Sequence, residues 1–158
     1  MRRAAFTLVE LIAVMVIVGI LAIVVAPRFI DSSERAKVAA ISSNLKMIRR
    51  ALIEYKAVHG AYPPDQNGGI MPPEMAQFIP NDIWAQAITG IGVYNWEGPP
   101  GWANHEGIGV GSLVSTPTSP TTDAFWAKID AAIDDGALTT GYFRWESGAG
   151  RYEFFLGD

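Results

Sequence analysis

Residues 11 to 26, "LIAVMVIVGILAIVVA", contain no charged or strongly polar side chain. Counted back to Phe6 the run is 21 residues long, and a helix rising about 1.5 Å per residue carries that length over roughly 30 Å, one hydrocarbon thickness. Such a segment adds nothing to a soluble core, so the chain is expected to pair a membrane helix with a smaller folded head. Arg2 and Arg3 precede the run, and the preference for basic residues on the cytoplasmic side orients it N-terminus in, with everything after Pro27 outside. A cleaved secretory signal would be shorter and end in small residues, whereas "VVAPRF" sets the bulky Val24 two residues before Ala26, so a retained helix is the expectation.

Glu10 interrupts this logic. An unpaired carboxylate in hydrocarbon costs several kcal/mol, less near the end of a span, so Glu10 either reaches back to the headgroups or meets a cation supplied by a partner. The rest of the composition narrows the field by exclusion. With 12 Lys and Arg against 16 Asp and Glu, a net charge of -4, the chain does not favour a phosphate backbone, and no nucleic-acid partner is expected. Without cysteine there is no disulfide framework, thiolate zinc site or cysteine nucleophile.

The stretch "AFTLVELI", residues 5 to 12, resembles the cleavage and methylation signal of type IV prepilins and of type II secretion pseudopilins. The likeness covers residues 2 to 30 closely and the following helix less specifically. It implies a leader of residues 1–5, cut by a prepilin peptidase between Ala5 and Phe6, with Phe6 methylated as the mature N-terminus. The residue before the cut is usually glycine in this family, and Ala5 departs from that habit. The resemblance gives Glu10 the role of attracting the N-terminal ammonium of a neighbouring subunit, a pairing that strengthens as water leaves and fixes register. Pro27 matches a position where the family's helix bends, and it also removes one amide donor.

After the bend, "DSSERAKVAAISSNLKMIRRALIEYKAVHG" carries Val38, Ile41, Leu45, Ile48, Leu52 and Tyr55 at alternating steps of three and four, the pattern of an amphipathic helix. Asp31 or Ser32 is placed to cap a restart, and Gly60 to end it. Short helices are expected at Pro73 to Phe78 and behind Asn81 or Asp82, and strands at Ile91 to Trp96 and Gly107 to Val114. "STPTSPTT", residues 115 to 122, reads as an exposed loop. A helix then runs from Asp123 to Asp134, capped by Thr121 or Thr122. The last piece, "GYFRWESGAGRYEFFLGD", reads as a hairpin turning at Ser147 to Gly150, with Arg144 or Arg151 pairing across it to Glu153 or Glu146.

The fold expected is α+β. With the resemblance it becomes pilin-like: a long N-terminal helix, transmembrane in its first half, packed against a small antiparallel sheet. The organisation is a leader at 1–5, a transmembrane and filament-core helix at 6–27, an amphipathic scaffold at 28–60 and a globular head at 61–158.

No enzyme site stands out. His59 sits at a helix end, where a dipole or cap accounts for it, and His105 has no partner histidine near it in sequence. The glycines of "GIGVG" match neither phosphate-loop nor dinucleotide spacing. Glu97 and Glu106 lie among tryptophans, but a glycosidase needs a carboxyl separation that sequence does not give. Asp130, Asp134 and Asp135 lack the alternating ligands of a standard calcium loop and read first as a helix end at "DDG"; because some pseudopilins hold calcium in a loop of the head, they are also the calcium candidate. No other cofactor is expected. Trp84, Trp96, Trp102, Trp126 and Trp145 read as core, and alternatively as a glycan- or surface-binding patch on a membrane-tethered module.

The function implied by the resemblance is a structural subunit of a type IV pilus or type II secretion pseudopilus. Its implied partners are like subunits, prepilin peptidase, the lipid bilayer, and an inner-membrane assembly platform with its ATPase. Its implied location is the bacterial inner membrane, single-pass with a cytoplasmic N-terminus and a periplasmic head, and later the assembled pilus or pseudopilus.

Overall fold

The computed structural model describes residues 7–85, 92–99, 107–111, 123–146 and 151–156. Two compact units divide the chain, Met1–Lys37 and Val38–Asp158, and one helix, α1 (Leu8–His59), contributes to both.

In the first unit α1 presents apolar side chains on all sides: Leu11, Ile12, Val14, Met15, Val16 and Ile17 are each more than half exposed. Even so, among the described residues no helix is long and apolar enough to cross a membrane. Between Glu10, in its first turn, and Arg28 the helix runs 17 residues without a charge, a rise of only roughly 26 Å against roughly 30 Å of hydrocarbon. The expectation of a transmembrane helix over 6–27 is therefore corrected. With it goes the single-pass inner-membrane location with its cytoplasmic N-terminus and periplasmic head. The expected restart at Asp31 or Ser32 is also absent. α1 is helical throughout, and Ser32 Oγ donates back to the Phe29 carbonyl at 2.9 Å, a bond made within a helix rather than at its start.

In the second unit the three-and-four stripe is buried as expected, with Ile41, Leu45, Ile48, Leu52 and Tyr55 all in the core and Val38 at its margin. Gly60 ends α1 at φ 79°, a left-handed conformation in which other residues are strained, and its amide donates to the Lys56 carbonyl at 2.8 Å. A 3-10 helix at Pro73–Gln77 and α2 (Asn81–Ala85) follow, both near their expected places.

Four short strands form an antiparallel sheet in the order β1-β2-β4-β3: β1 is Val93–Glu97, β2 Gly107–Gly111, β3 Phe143–Glu146 and β4 Arg151–Phe155. Helix α3 (Asp123–Ile133) precedes β3. The expected caps Thr121 and Thr122, the hairpin turn at 147–150, residues 112–114 and the loop at 115–122 lie outside the described residues.

The pleat sorts the sheet into two unlike faces. Trp96, Ile108, Phe154 and Phe143 align across the four strands, with Tyr94 and Tyr152 in the neighbouring row. These residues share one core with the α1 stripe and with Phe125, Trp126 and Ile129 of α3. Trp126 stacks on Tyr152 with centroids 4.8 Å apart, and Trp96 Nε1 donates to the Pro63 carbonyl at 2.9 Å, whereas Trp84 Nε1 and the Tyr94 hydroxyl are buried without a hydrogen-bond partner.

On the opposite face Asn95, Gly109, Glu153 and Arg144 are in register, with Asn95 and Glu153 buried and Arg144 exposed on the edge strand. Arg151 is in register with Glu146 across the hairpin, and the side chain of that expected partner lies outside the described residues. Its guanidinium binds Glu153 on its own strand, at 2.7 Å, and Glu97 two strands away, all three side chains being at least nine-tenths buried. To reach Glu97 it must cross β2, and a Cβ on Gly109 would collide with Arg151 Nε. The glycine of "GIGVG" is thus a passage for an arginine.

Groups from outside the sheet bond to the backbone of both outer strands. On β1 the Tyr94 carbonyl accepts the Gly69 amide at 2.8 Å. On β3 the outward amides of Phe143 and Trp145 donate to Asp134 Oδ2 at 3.0 Å and to the Leu138 carbonyl at 3.1 Å.

Removing one member of a buried ion cluster leaves charge uncompensated. Arg151→Ala is therefore expected to destabilise the head by about 3–5 kcal/mol, with Glu97→Gln costing less, as read by urea unfolding. Equal stability of wild type and Arg151→Ala would contradict the cluster's role.

Candidate functional site

Three places concentrate the residues singled out from sequence. The first is the N-terminal motif. Ala5 and Phe6 lie outside the described residues, whereas Glu10 sits in the first turn of α1. Glu10 Oε2 accepts the Thr7 amide at 2.8 Å and the Thr7 hydroxyl at 2.9 Å, while the Glu10 amide donates to Thr7 Oγ1 at 3.3 Å. This reciprocal pair is a capping box, in which Thr-x-x-Glu satisfies two amides that a helix start leaves open. The Thr7 amide, then its hydroxyl, hold the Glu10 carboxyl below its ordinary range, so the group is ionised and oriented. Thr7 was not among the expected site residues; its signal, a threonine three places before a glutamate at the head of an apolar run, was present in "TLVE".

The second place is the end of α3. Asp130, Asp134 and Asp135 come together, with one carboxylate oxygen from each lying within 4.8 Å of the others. Their surroundings differ. Asp135 accepts the Ala137 amide at 2.8 Å and the Thr140 hydroxyl at 2.9 Å, which hold its carboxyl below the usual range. Asp134 accepts the amides of Tyr142 and Phe143, and Gly141, at φ 69°, leaves room for that carboxylate where a Cβ would strike it. Asp130 is fully buried, and neither of its oxygens has a hydrogen-bond partner. Burial pushes its carboxyl up to about 6; the nearby Gly136 amide offsets part of this, and the charges of Asp135 and Asp134 add to it. An orphaned buried carboxylate beside two others, with oxygen as the only donor atom, suits a hard cation such as calcium.

The third is the aromatic set. Trp84, Trp96 and Trp126 are buried in the core, while Trp145 and Tyr142 are about half exposed. Trp102 lies outside the described residues, as do His105 and Glu106. His59 stacks on Tyr55 at 4.1 Å and places Nδ1 3.1 Å from the Tyr55 carbonyl, a helix-end packing arrangement. Glu97 is consumed by Arg151.

Comparison with known proteins agrees with the N-terminal motif. A family model described as the prokaryotic N-terminal methylation motif matches residues 1–26, which include Ala5, Phe6 and Glu10. The chain is 40% identical over 67 residues to type II secretion system core protein G of Pseudomonas aeruginosa, covering 42% of this chain and 47% of that one. It is 34% identical over 98 residues to the core protein G of Klebsiella michiganensis, covering 56% of this chain and 68% of the relative. It is 38% identical over 93 residues to a type IV major pilin protein, PilE1, of Neisseria gonorrhoeae, covering 59% and 41%. The chain spans about half the length of most of the curated relatives it matches.

The Asp130 carboxyl is shifted upward, so the folded state holds its proton more tightly than the unfolded chain does, and stability falls as pH rises from about 4 through about 6. In metal-free buffer Asp130→Asn is expected to be more stable than wild type at pH 7, on the order of 1–3 kcal/mol, with the gap closing as pH falls to 4. Chemical denaturation across that range checks it; a gap independent of pH would count against the buried, ionised carboxylate.

Proposed function

The chain belongs to the family of type IV prepilins and type II secretion pseudopilins, and from that premise we propose that it is a subunit of a pilus or pseudopilus. It is a structural protein and not an enzyme. The observation that carries the proposal is the coincidence of a prepilin-type signal with an ionised, preset Glu10 at the head of an apolar helix.

A helix exposing apolar side chains on every side must be covered to be stable in water, and packing against copies of itself covers it. Cleavage between Ala5 and Phe6 creates an α-ammonium one residue before Thr7. That cation on one subunit and the Glu10 carboxylate on its neighbour then attract one another among apolar side chains, where a misplaced copy would leave either charge orphaned. Prepilin peptidase, like subunits, an assembly platform and its ATPase are the partners this reading requires. At Pro27 the missing amide donor is the place where α1 bends on assembly. Calcium held by Asp130, Asp134 and Asp135 supplies the positive charge that the buried carboxylate lacks; Asp134, through its amide contacts, then ties the end of α3 to β3.

Mass spectrometry of the N-terminus tests the processing: methylated Phe6 is expected, and an intact Met1 or a start after Ala26 would remove the claim. In the same preparation Glu10→Ala is expected to abolish or greatly slow filament growth while the head stays folded; filaments at the wild-type rate would speak against the pairing. Calcium is expected to raise the melting temperature of the wild type and to have no effect on Asp134→Ala, with magnesium a weaker ligand for both.

A further inference from the structure

Charge along this chain is unevenly placed. Residues 28–60 carry seven basic and three acidic side chains, whereas residues 61–158 carry three basic and 12 acidic. Three of the basic residues, Lys46, Arg49 and Arg50, fall within one turn and a half of α1 and line an open pocket of about 420 Å³ with Ile53, Glu54, Ile133 and Phe154.

The cations are not equally engaged. Lys46 Nζ donates to the Ala132 carbonyl at the end of α3, at 2.7 Å. Arg50 pairs with Glu54 at 2.9 Å on an exposed surface, a contact of small value that an incoming carboxylate can share. Arg49 is different. Its guanidinium lies 5.2 Å from the Phe154 ring centre and 5.7 Å from that of Tyr142, and its Nε is buried with no hydrogen-bond partner. The rings fix the plane of the fork, and a buried N–H without an acceptor is a deficit that a carboxylate would remove. Ile53, 43% exposed beside it, adds an apolar wall.

The same head presents the complement. Among the described residues after Gly60, most carboxylates are engaged: Asp65 by the Gly98 amide, Glu97 and Glu153 by Arg151, Asp134 and Asp135 by the loop after α3. Glu74 and Asp82 are exposed, and among the described residues neither makes a hydrogen bond or ion pair. They bracket the 3-10 helix and the start of α2.

We infer that the Lys46–Arg49–Arg50 pocket of one copy receives the Glu74–Asp82 segment of a second copy, a head-to-tail contact in which Arg49 takes a carboxylate. The inference rests on the reading of the chain as a self-assembling subunit. The contact joins two different patches, so it propagates along a filament instead of closing a two-fold dimer. Its electrostatic share is screened by salt.

The absence of cysteine makes the test specific. Full chains bearing Ile53→Cys are mixed with full chains bearing Gln77→Cys under oxidising conditions. Disulfide formation between the two is expected to exceed that within either population by roughly tenfold, the scale of a lost charge pair, and to fall by a similar factor in high salt. Glu74→Lys with Asp82→Lys, both exposed, should abolish the excess without touching the core, and Arg50→Glu in the other copy should restore part of it. Equal crosslinking in mixed and unmixed populations, or capture of residue 53 by a different protein, would overturn the contact. Filaments built from the two cysteine variants without the 53–77 crosslink would remove this inference and leave the assembly reading intact; the crosslink without filaments would uphold the contact and remove that reading.

Discussion

Everything in the head is arranged around one buried stripe of α1. Ile41, Leu45, Ile48, Leu52 and Tyr55 are at most 8% exposed, and they share one core with an aromatic sheet face and with α3. Four strands of four or five residues bury little area on their own. Their stability depends on the helix. The second unit supplies this stripe with a partner surface. In the first unit the same helix exposes its apolar residues all round.

The polar face of the sheet adds specificity. An arginine crossing a glycine to hold two glutamates is satisfied only when β1, β2 and β4 are in one register, because a slip by one residue puts a side chain where Gly109 leaves a gap. Buried ion clusters rarely add much net stability over apolar packing, so its value lies in excluding alternatives.

The parts of this structure that follow a period were legible in the sequence. The stripe of α1, the α3 helix, the terminal hairpin and the N-terminal motif all appeared near their final places, since spacing and turn residues carry that information locally. The membrane span did not survive, because hydropathy counted from Phe6 ran across the charge of Glu10, and the uncharged stretch between Glu10 and Arg28 is shorter than the hydrocarbon it would have to cross. The restart after Pro27 failed because Ser32 bonds within the helix. What had no local signal was pairing at a distance: Arg151 with Glu97 is separated by 54 positions, and Arg49 finds its rings only once β4 is laid against α1. The acid trio was visible as a cluster, yet its inequality, one carboxylate orphaned and two well supplied with donors, depends on the loop that folds back to β3.

Both outer strands bond to groups from outside the sheet, one to the Gly69 amide and the other to Asp134 and Leu138. Under the proposed assembly role this matters more than it would for a monomer. An open edge offers a second, unregulated route of growth, strand upon strand, that leads to amyloid-like aggregates. The partners at both margins shorten the run of free backbone groups on each outer strand and so disfavour that route.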